Sequence, residues 1–462
     1  MSLVKDIYNR SPVFFQNVMV SAYGYQWHKR RFGGIFADEY RRFKERENFT
    51  AEQWKDYQVL QLRKLLVHSF TTVPFYREQY KKAGLTIADL QKFEIEDISK
   101  LPFLEKDELR KYGDNNLLSE KKSAGTFFSS SGSTGTPTKI YYSPEMHQKI
   151  TAAMESRVRN WAGVDRFSPR GMIGGRRVVP NGESKPPFYR YNFIEKQIYF
   201  SAYHISPENS KQYLEAILKY KPDYMTGYAM SNYFLAYFFD ELSLKVPQLK
   251  AVITSSEKLT PEMRSLFLKV YGCKTFDGWS GVENCGLISE CEQGNLHMSP
   301  DTGVIEVIDD NGNQVKPGET GEVVCTGFFN YDQPLIRYRI GDKITLSAKT
   351  CSCGRSMQVV GEIVGRTEDV IIGKDGRRMV RFHGIFVDIP SIVKGQVIQE
   401  SLDEITVKLV TSSPLTQGEN DSIKKRVSSQ LGDVIVTVEE VKEIPLTSNG
   451  KFKAVVSKLK KN

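Results

Sequence analysis

A run of hydroxyl side chains and glycines after residue 129 has the chemistry of a phosphate-binding loop. It consists of Ser130, Ser131, Gly132, Ser133, Thr134, Gly135, Thr136, Pro137 and Thr138. Glycines let successive backbone N–H groups converge on an anion, and the hydroxyls add donors for phosphate oxygens. The run matches neither the Walker loop nor the dinucleotide fingerprint. The sequence therefore leaves two interpretations, a phosphate-binding loop or a flexible linker.

Thiols and an imidazole in the second half of the chain form a candidate metal site. The ligands would be Cys291, His297, Cys351 and Cys353. These residue types suit a structural, tetrahedral Zn²⁺, although the spacing is less diagnostic than two CxxC knuckles. Reduced thiols near a turn are the alternative, and Cys285 could replace one ligand. Cys273 and Cys325 lie in apolar, strand-like contexts and are predicted to belong to the core.

Five further segments follow the hydroxyl run in a fixed order. They are Ser255-Ser256-Glu257, Asp277-Gly278-Trp279-Ser280-Gly281-Val282-Glu283, Arg337-Tyr338-Arg339-Ile340-Gly341-Asp342, Gly365-Arg366-Thr367-Glu368-Asp369 and Leu446-Thr447-Ser448-Asn449-Gly450-Lys451. The set resembles the acyl-adenylate-forming enzymes, in the branch of phenylacetate-coenzyme A ligase-like and CapK-like proteins. Each segment alone is a weak match, but six in order extend the resemblance over nearly the whole chain.

The resemblance implies that a carboxylate and ATP give an acyl-adenylate and pyrophosphate, and that the acyl group then passes to coenzyme A or an amine. The hydroxyl run would hold the leaving pyrophosphate. Glu283 matches the glutamate that holds Mg²⁺, a hard cation that prefers oxygen ligands. Asp342 matches the aspartate that accepts hydrogen bonds from both ribose hydroxyls. The residues expected to border the adenine are Ser256, Glu257, Asp277, Gly278 and Trp279.

The resemblance also assigns roles near the C-terminus. Lys451 matches the lysine that bridges the carboxylate and the α-phosphate, a role suited to a point charge on a flexible stem. The alternative is a surface lysine in a basic tail. Arg366 would approach the ribose or a phosphate. Glu368 matches the hinge about which a small domain swivels after adenylation.

The sequence departs from the family pattern beside the predicted magnesium ligand. Ser280 replaces a glycine, and Val282 replaces a hydroxyl residue that contacts phosphate. These changes leave a degenerate nucleotide-binding protein as one alternative function, although the retained Glu283, Asp342 and Lys451 argue against it. A nucleotidyl transferase that adenylates a cofactor hydroxyl is the other alternative.

The acyl pocket is less clear from the sequence. Gly227 and Tyr228 match the segment that lines the acid in relatives, although an aromatic residue there could equally belong to the core. Arg176 and Arg177 could form another wall. That pair would favour a polar or anionic acid, or it could be solvated.

Elements that position these residues follow from the apolar pattern. The spacing predicts an α/β fold in three parts: a helical N-terminal region (1–125), an α/β and β core (126–365) and a small α+β part (366–462). The resemblance implies that the first part belongs to the large domain, that the core binds nucleotide and acid, and that the C-terminal domain is mobile. A helix is predicted from Ala51 to Ser69, because Leu60, Leu62, Leu65 and Leu66 recur at helix-like spacing with polar residues between them. A second helix would begin at the Ser206-Pro207 cap, bury Tyr213, Leu214, Ile217 and Leu218, and end before Pro222.

Composition restricts the class of protein. The chain has 462 residues, a net charge of +9 and six cysteines. Basic residues are dispersed and no nucleic-acid recognition motif accompanies them, so nucleic acid is not the expected partner, and a small anionic substrate such as a nucleotide suits the charge. The resemblance adds a small-molecule carboxylate. Without an apolar segment of about 18 residues or a signal-peptide pattern, we expect a cytoplasmic protein without stable membrane insertion. A homodimer is left open.

Overall fold

The N-terminal region is built from helices. The computed structural model describes residues 2–129, 138–180, 185–364, 371–374, 376, 378–379, 382, 385–386, 389, 391–444 and 453–459. Thr50 and Gln53 form a capping box, in which each side chain accepts a hydrogen bond from the other residue's backbone N–H. The helices are α1 (Ser2–Arg10), α2 (Val13–Phe32), α3 (Phe36–Arg46), α4 (Ala51–Thr72), α5 (Pro74–Lys82), α6 (Ile87–Gln91) and α7 (Lys106–Tyr112).

The predicted helix after residue 50 is confirmed as α4, which continues three residues beyond the predicted end at Ser69. Leu62, Leu65 and Leu66 are fully buried, each contributing about 1.5–3 kcal/mol of hydrophobic stabilisation. Leu60 does not share this buried face, since its side chain is 50% exposed. Leu60 lies two positions before Leu62, so the two side chains point about 200° apart around a helix of 3.6 residues per turn.

Strands and helices alternate in the middle of the chain, as predicted. A proline in the first turn and a hydroxyl cap, Ser143 in one case and Thr260 in the other, begin two of the helices. The elements are β1 (Thr126–Ser129), β2 (Lys139–Tyr142), α8 (Pro144–Met154), β3 (Arg170–Gly174), β4 (Tyr189–Asn192), β5 (Gln197–Ser201), α9 (Ser210–Tyr220), β6 (Tyr224–Tyr228), α10 (Ala229–Glu241), β7 (Ala251–Ser255), α11 (Pro261–Tyr271) and β8 (Lys274–Trp279).

The start predicted for the helix before Pro222 is wrong. Ser206 and Pro207 form a turn in which the Ser206 hydroxyl accepts a hydrogen bond from Asn209 N–H, and α9 begins only at Ser210. Because Ser206 can cap a turn as well as a helix, its residue type did not fix the boundary. Leu218, expected in the core, is 49% exposed.

Antiparallel strands follow β8, as the Gly- and turn-rich sequence after residue 303 indicates. They are β9 (Ile288–Glu290), β10 (Leu296–Met298), β11 (Gly303–Ile308), β12 (Thr320–Gly327), β13 (Tyr338–Leu346) and β14 (Val359–Ile363). With β3 to β8 they form one sheet of twelve described strands, in the order β11-β12-β13-β14-β10-β9-β8-β7-β6-β3-β5-β4. Strands β5, β3, β6, β7 and β8 are parallel to one another.

The C-terminal part has its own sheet and its own apolar core. Strands β17 (Ile392–Gln399) and β18 (Glu404–Thr411) pair centrally, after a short hairpin of β15 (Ile371–Ile372) and β16 (Arg378–Met379). Helix α12 (Gln417–Leu431) and strands β19 (Ile435–Glu440) and β20 (Val455–Ser457) complete it. No helix within the described ranges is long and apolar enough to cross a membrane.

Candidate functional site

The carboxyl ends of three parallel strands bring together the residues predicted to bind the acid and the adenine. Gly227 on β6 lies opposite Thr254 on β7, which lies opposite Asp277 on β8. Tyr228 and Gly278 lie one position further along the same register. In open α/β sheets, ligands bind at this edge.

Backbone strain marks two of these strand ends. Ser256, directly after β7, has a φ of 70°, in the left-handed region that non-glycine residues rarely adopt. Gly227 has a φ of 123°, and a Cβ atom there would lie 1.8 Å from the carbonyl oxygen of Ile173 on β3. Position 227 therefore requires glycine, which lets β6 pass close to β3.

Glu257 and Asp277 lie beside other polar groups. Glu257 Oε2 accepts a hydrogen bond of 2.8 Å from Met230 N–H in the first turn of α10, where a carboxylate also interacts favourably with the helix dipole. Burial raises the pKa of Asp277 to about 7, and the nearby Glu290 adds to the rise. Gly278 N–H and Thr254 Oγ1 donate to Asp277 Oδ1 at 2.9 and 3.3 Å, which partly opposes the effect of burial.

Trp279 contacts the predicted ribose-binding carboxylate directly. The indole Nε1–H donates to Asp342 Oδ2 at 2.9 Å, and the tryptophan is buried at the end of β8. Asp342 lies on β13, so this bond joins the end of the parallel strands to the antiparallel part of the sheet. Sequence reasoning assigned both residues to the nucleotide but did not predict their contact.

Glu283 is buried and is held close to the end of the hydroxyl run. Thr138 Oγ1 lies 3.4 Å from Glu283 Oε1, at the start of β2. The Tyr142 hydroxyl donates to the carbonyl oxygen of Val282 and accepts a hydrogen bond from Asn284 Nδ2. Ser129 and Lys139, the residues that flank the run, pair with each other across β1 and β2.

The contacts of Thr138 and Tyr142 with the 282–284 segment were missed at the level of sequence. Nothing in their residue type indicates which segment they face. Other predicted site residues lie outside the described residues: Ser130, Ser131, Gly132, Ser133, Thr134, Gly135, Arg366, Glu368 and Lys451.

The two arginines considered for the acyl pocket lie against other groups. Arg177 Nη1 donates to Ser429 Oγ of α12 at 3.3 Å, and its guanidinium lies 4.7 Å from the centre of the Tyr203 ring. Arg176 lies 5.6 Å from the centre of the Tyr23 ring. Arg177 thus links the large core to the C-terminal part.

The predicted metal ligands converge. The ligand atoms of Cys291, His297, Cys351 and Cys353 all lie within 4.8 Å of one another. The sulfurs of Cys291 and Cys351 are 3.6 Å apart, and Cys353 Sγ lies 3.5 Å from His297 Nε2. A tetrahedral zinc site with Zn–S bonds of about 2.3 Å places its sulfurs roughly 3.8 Å apart. The donor set and its spacing therefore fit Zn²⁺.

Neighbouring groups orient His297 and shift the pKa values of His297 and Cys351. His297 Nδ1 lies 3.2 Å from the carbonyl oxygen of Met357, an arrangement that directs Nε2 toward the thiols. Burial lowers the pKa of His297, which favours the neutral imidazole that binds metals. Burial acts to raise the pKa of Cys351, but hydrogen bonds from Cys353, Cys291 and Asn295 outweigh it, and the pKa is lowered.

The remaining cysteines do not belong to the cluster. Cys273, Cys285 and Cys325 are buried, and the predicted core positions of Cys273 and Cys325 are confirmed. The option that Cys285 replaces a ligand is wrong, because its thiol lies beside Cys325 in the core.

Comparisons with known proteins agree with this architecture. Residues 371–458 match the family described as the CapK C-terminal domain. Protein CapK of Staphylococcus aureus is 27% identical over 99% of this chain and 100% of its own length. A phenylacetate-coenzyme A ligase of Thermus thermophilus is 26% identical over 80% of this chain and 84% of its own. A solved 2-hydroxyisobutyryl-CoA ligase superposes with a TM-score of 0.59 and 19% identity, over 90% of this chain and 91% of that chain.

The chain has the α/β fold of the acyl-adenylate-forming enzymes, so the predicted fold class is confirmed. Its sequence is similar to those of CapK and the phenylacetate-coenzyme A ligases, the proteins that the short segments resemble in their order. The movement of its C-terminal part stays a prediction.

Proposed function

We propose that this protein is an AMP-forming ligase that activates a carboxylic acid with ATP and transfers the acyl group to coenzyme A. The observation that carries the proposal is the register of β6, β7 and β8, which aligns Gly227, Asp277 and their neighbours at one edge of the sheet. Relatives named phenylacetate-coenzyme A ligase in several bacteria support the choice of an acid and coenzyme A as substrates.

The proposed reaction has two steps. A carboxylate oxygen attacks the α-phosphorus of ATP, the bond to the bridging oxygen breaks, and pyrophosphate leaves. The thiol sulfur then attacks the acyl carbon, the bond to the AMP oxygen breaks, and the thiol proton passes to solvent. Since both reactants of the first step are anions, stabilising charge on the α-phosphate is the main catalytic task.

The predicted site residues have separate roles in this proposal. Asp342, positioned by the Trp279 indole, accepts hydrogen bonds from the ribose. Ser256 and Glu257 border the adenine, and Tyr228 contacts the acid. Lys451 carries the positive charge that joins the carboxylate to the α-phosphate, and the C-terminal domain (366–462) turns about Glu368 between the two steps.

A magnesium ion fits the surroundings of Glu283. The buried carboxylate offers a hard oxygen ligand, and a Cβ atom at Gly281 would lie 2.5 Å from Glu283 Oε2, so the glycine keeps space beside that oxygen. When bound, Mg²⁺ would offset phosphate charge. Thr138 and the Tyr142 hydroxyl keep the 282–284 segment in place for it.

The Cys/His cluster is proposed to hold a structural zinc ion. Its surroundings favour a structural role, because Arg355 beside the cluster pairs with Glu47 after α3 and with Glu292 after β9. The Arg355 guanidinium also lies 4.5 Å from the centre of the Trp161 ring. A metal there would join the β9–β10 segment to residues 351–353, beside the link that Arg355 makes to the N-terminal helices, and would take no part in acyl transfer.

The proposal is tested by pyrophosphate release with ATP and a panel of aryl, fatty, amino and sugar acids, with and without coenzyme A. We expect one class of acid to respond and a thioester to form with coenzyme A. If pyrophosphate is released but a product forms only with an amine or with a cofactor hydroxyl, that compound is the acceptor in place of coenzyme A. ATP binding without release for any acid or hydroxyl compound would contradict the proposal.

A further inference from the structure

Helix α2 has its polar and apolar faces in reversed positions. Its buried residues are small or polar: Gln16, Asn17, Ser21 and Gly24. Large apolar side chains on the same helix are 45 to 65% exposed: Phe14, Phe15, Val18, Tyr23 and Tyr25. A surface helix of a globular protein ordinarily has the opposite arrangement, and a continuous exposed apolar face is typical of a binding surface.

The polar face of α2 contacts the edge of the large sheet. Strand β4 is the last in the order of the twelve described strands. Asn17 Oδ1 accepts a hydrogen bond of 2.9 Å from Tyr191 N–H, and Ser21 Oγ accepts one of 3.0 Å from Phe193 N–H. The side chains of α2 therefore supply partners that the backbone of an edge strand needs. This explains why its polar residues face inward, but it does not account for the aromatic side chains that face outward.

Segments beside α2 extend its exposed apolar face. Phe193 and Ile194, in the turn after β4, are each about half exposed. The side chains of Leu3, Val4 and Ile7 on α1 are more than half exposed. Gln16 Nε2 joins the two helices by donating to the carbonyl oxygen of Tyr8 at 2.9 Å. These side chains and the outward face of α2 are called the N-terminal apolar surface.

The charges of the two helices are mostly positive. Residues 2–32 contain one acid, Asp6, and five basic residues, of which three are exposed. Lys29 Nζ lies 4.6 Å from the centre of the Tyr25 ring. The exposed Arg176, which precedes β4 in the chain, lies 5.6 Å from the centre of the Tyr23 ring. Exposed cations thus lie directly beside exposed aromatic rings.

The turn after β4 has the same chemistry. Lys196 is exposed, like the two apolar residues of that turn, whereas the neighbouring Glu195 is buried and pairs with Arg31 at the end of α2. The carboxylate of the turn therefore faces the protein, and its ammonium group and apolar side chains face outward.

These features restrict the partner. A two-fold dimer would place this surface against itself, so that cations would face cations, which destabilises an interface. An anionic lipid bilayer fits both features, because aromatic side chains suit the headgroup region and basic side chains reach lipid phosphates. Since the polar face of α2 is bonded to β4, the arrangement is that of a helix lying on a bilayer.

We propose that the N-terminal apolar surface binds the surface of an anionic lipid bilayer. Phe14, Phe15 and Val18 enter the headgroup region, and Lys29 and Lys196 contact lipid phosphates. No residue of the strand-end site takes part in this contact, so the proposal does not depend on the proposed ligase activity.

The test is co-sedimentation of the whole chain, without ATP, with vesicles of phosphatidylcholine alone or mixed with phosphatidylglycerol. We expect binding to the anionic vesicles that weakens as salt is added, because salt screens the charges. Combining Phe14→Ser with Phe15→Ser should weaken binding about tenfold or more, since two aromatic side chains no longer leave water. Lys29→Ala should weaken it about fivefold, as expected for one charge at a lipid surface.

Leu268→Ser on α11 and Lys81→Ala on α5 are the matched controls, because both residues are exposed on other helices. Both variants should bind vesicles as the wild type does. Equal binding to the two kinds of vesicle, or unchanged binding in the Phe14 and Phe15 double variant, would overturn the proposal. Lys29→Ala supplies the same test if the double variant does not fold, and unchanged binding there would count equally against it.

Analytical ultracentrifugation of the same variants tests the other occupant. A wild-type dimer that does not bind vesicles and becomes a monomer in the double variant would overturn the proposal and assign the surface to a second copy of the chain. Because vesicle binding is measured without ATP, its failure leaves the proposed ligase activity unaffected.

Discussion

The strand-end site and the Cys/His cluster lie on the same sheet, but the structure holds their residues in different ways. At the cluster, four ligands face one another and their neighbours are tied to the N-terminal helices by Arg355. At the strand ends, the polar groups face an edge, and Trp279 and Asp342 contact each other across the sheet. A closed set of ligands is typical of a structural site, whereas polar groups at an open edge can bind substrate.

The largest effect is expected from removal of a ligand of the Cys/His cluster, which should lower stability. Cys353→Ser should lower the free energy of unfolding by roughly 4 to 5 kcal/mol or more, as is typical for loss of a structural metal. Bound zinc, measured by elemental analysis, should be lost in the same variant. Cys273→Ser removes a buried thiol outside the cluster and should retain zinc. Zinc-free wild-type protein would contradict the interpretation.

Glu283→Gln should reduce activity and leave stability nearly unchanged, the reverse of the effect expected for Cys353→Ser. We expect adenylation to fall roughly 100-fold or more, because a charged group that stabilises the reacting phosphates is lost. The thermal midpoint should change little, since the amide has the same shape. Glu262→Gln, on the exposed first turn of α11, is the control. A variant with normal turnover and normal Mg²⁺ dependence would remove Glu283 from the site.

The raised pKa of Asp277 makes the stability of the protein depend on pH. Its pKa of about 7 in the folded protein exceeds the ordinary value of about 4, so the folded state holds a proton that the unfolded state releases. The stabilisation is present at low pH and is lost as the pH rises through 7. Asp277→Asn should remove this slope, on the order of 3 kcal/mol between pH 4 and 8, in denaturant titrations. Parallel pH profiles for the two proteins would contradict this expectation.

Tyr142→Phe should have the smallest effect. The variant loses the hydroxyl that contacts Val282 and Asn284, at a cost of about 1 kcal/mol, or five- to tenfold in kcat for adenylation. Tyr141→Phe removes a hydroxyl from the same strand that instead donates to Ser123, and kcat should not change. Equal losses in both variants would indicate a general effect on the β1–β2 hairpin.

Some of this arrangement could be predicted from the sequence because its signals are local. The alternation after residue 126 indicates parallel strands, and the carboxyl ends of neighbouring parallel strands meet at one edge. The cluster could be predicted from residue types, since few side chains other than Cys and His bind zinc in this way. The predicted helix start at Ser206 was wrong because a serine can cap a turn as well as a helix.

Contacts between distant segments could not be predicted. Thr138 meets Glu283, and Trp279 meets Asp342, although neither contact joins strands that pair with each other in a sheet. No spacing in the sequence encodes these contacts.

The most direct test of the account is isotope exchange between pyrophosphate and ATP in wild type, Asp342→Ala and Cys353→Ser, at a temperature where all three are folded. We expect acid-dependent exchange in wild type, almost none in Asp342→Ala, and near-normal exchange per folded molecule in Cys353→Ser. Exchange that survives in Asp342→Ala but is abolished in folded Cys353→Ser would contradict it, because the chemistry would then depend on the cluster and not on the strand ends.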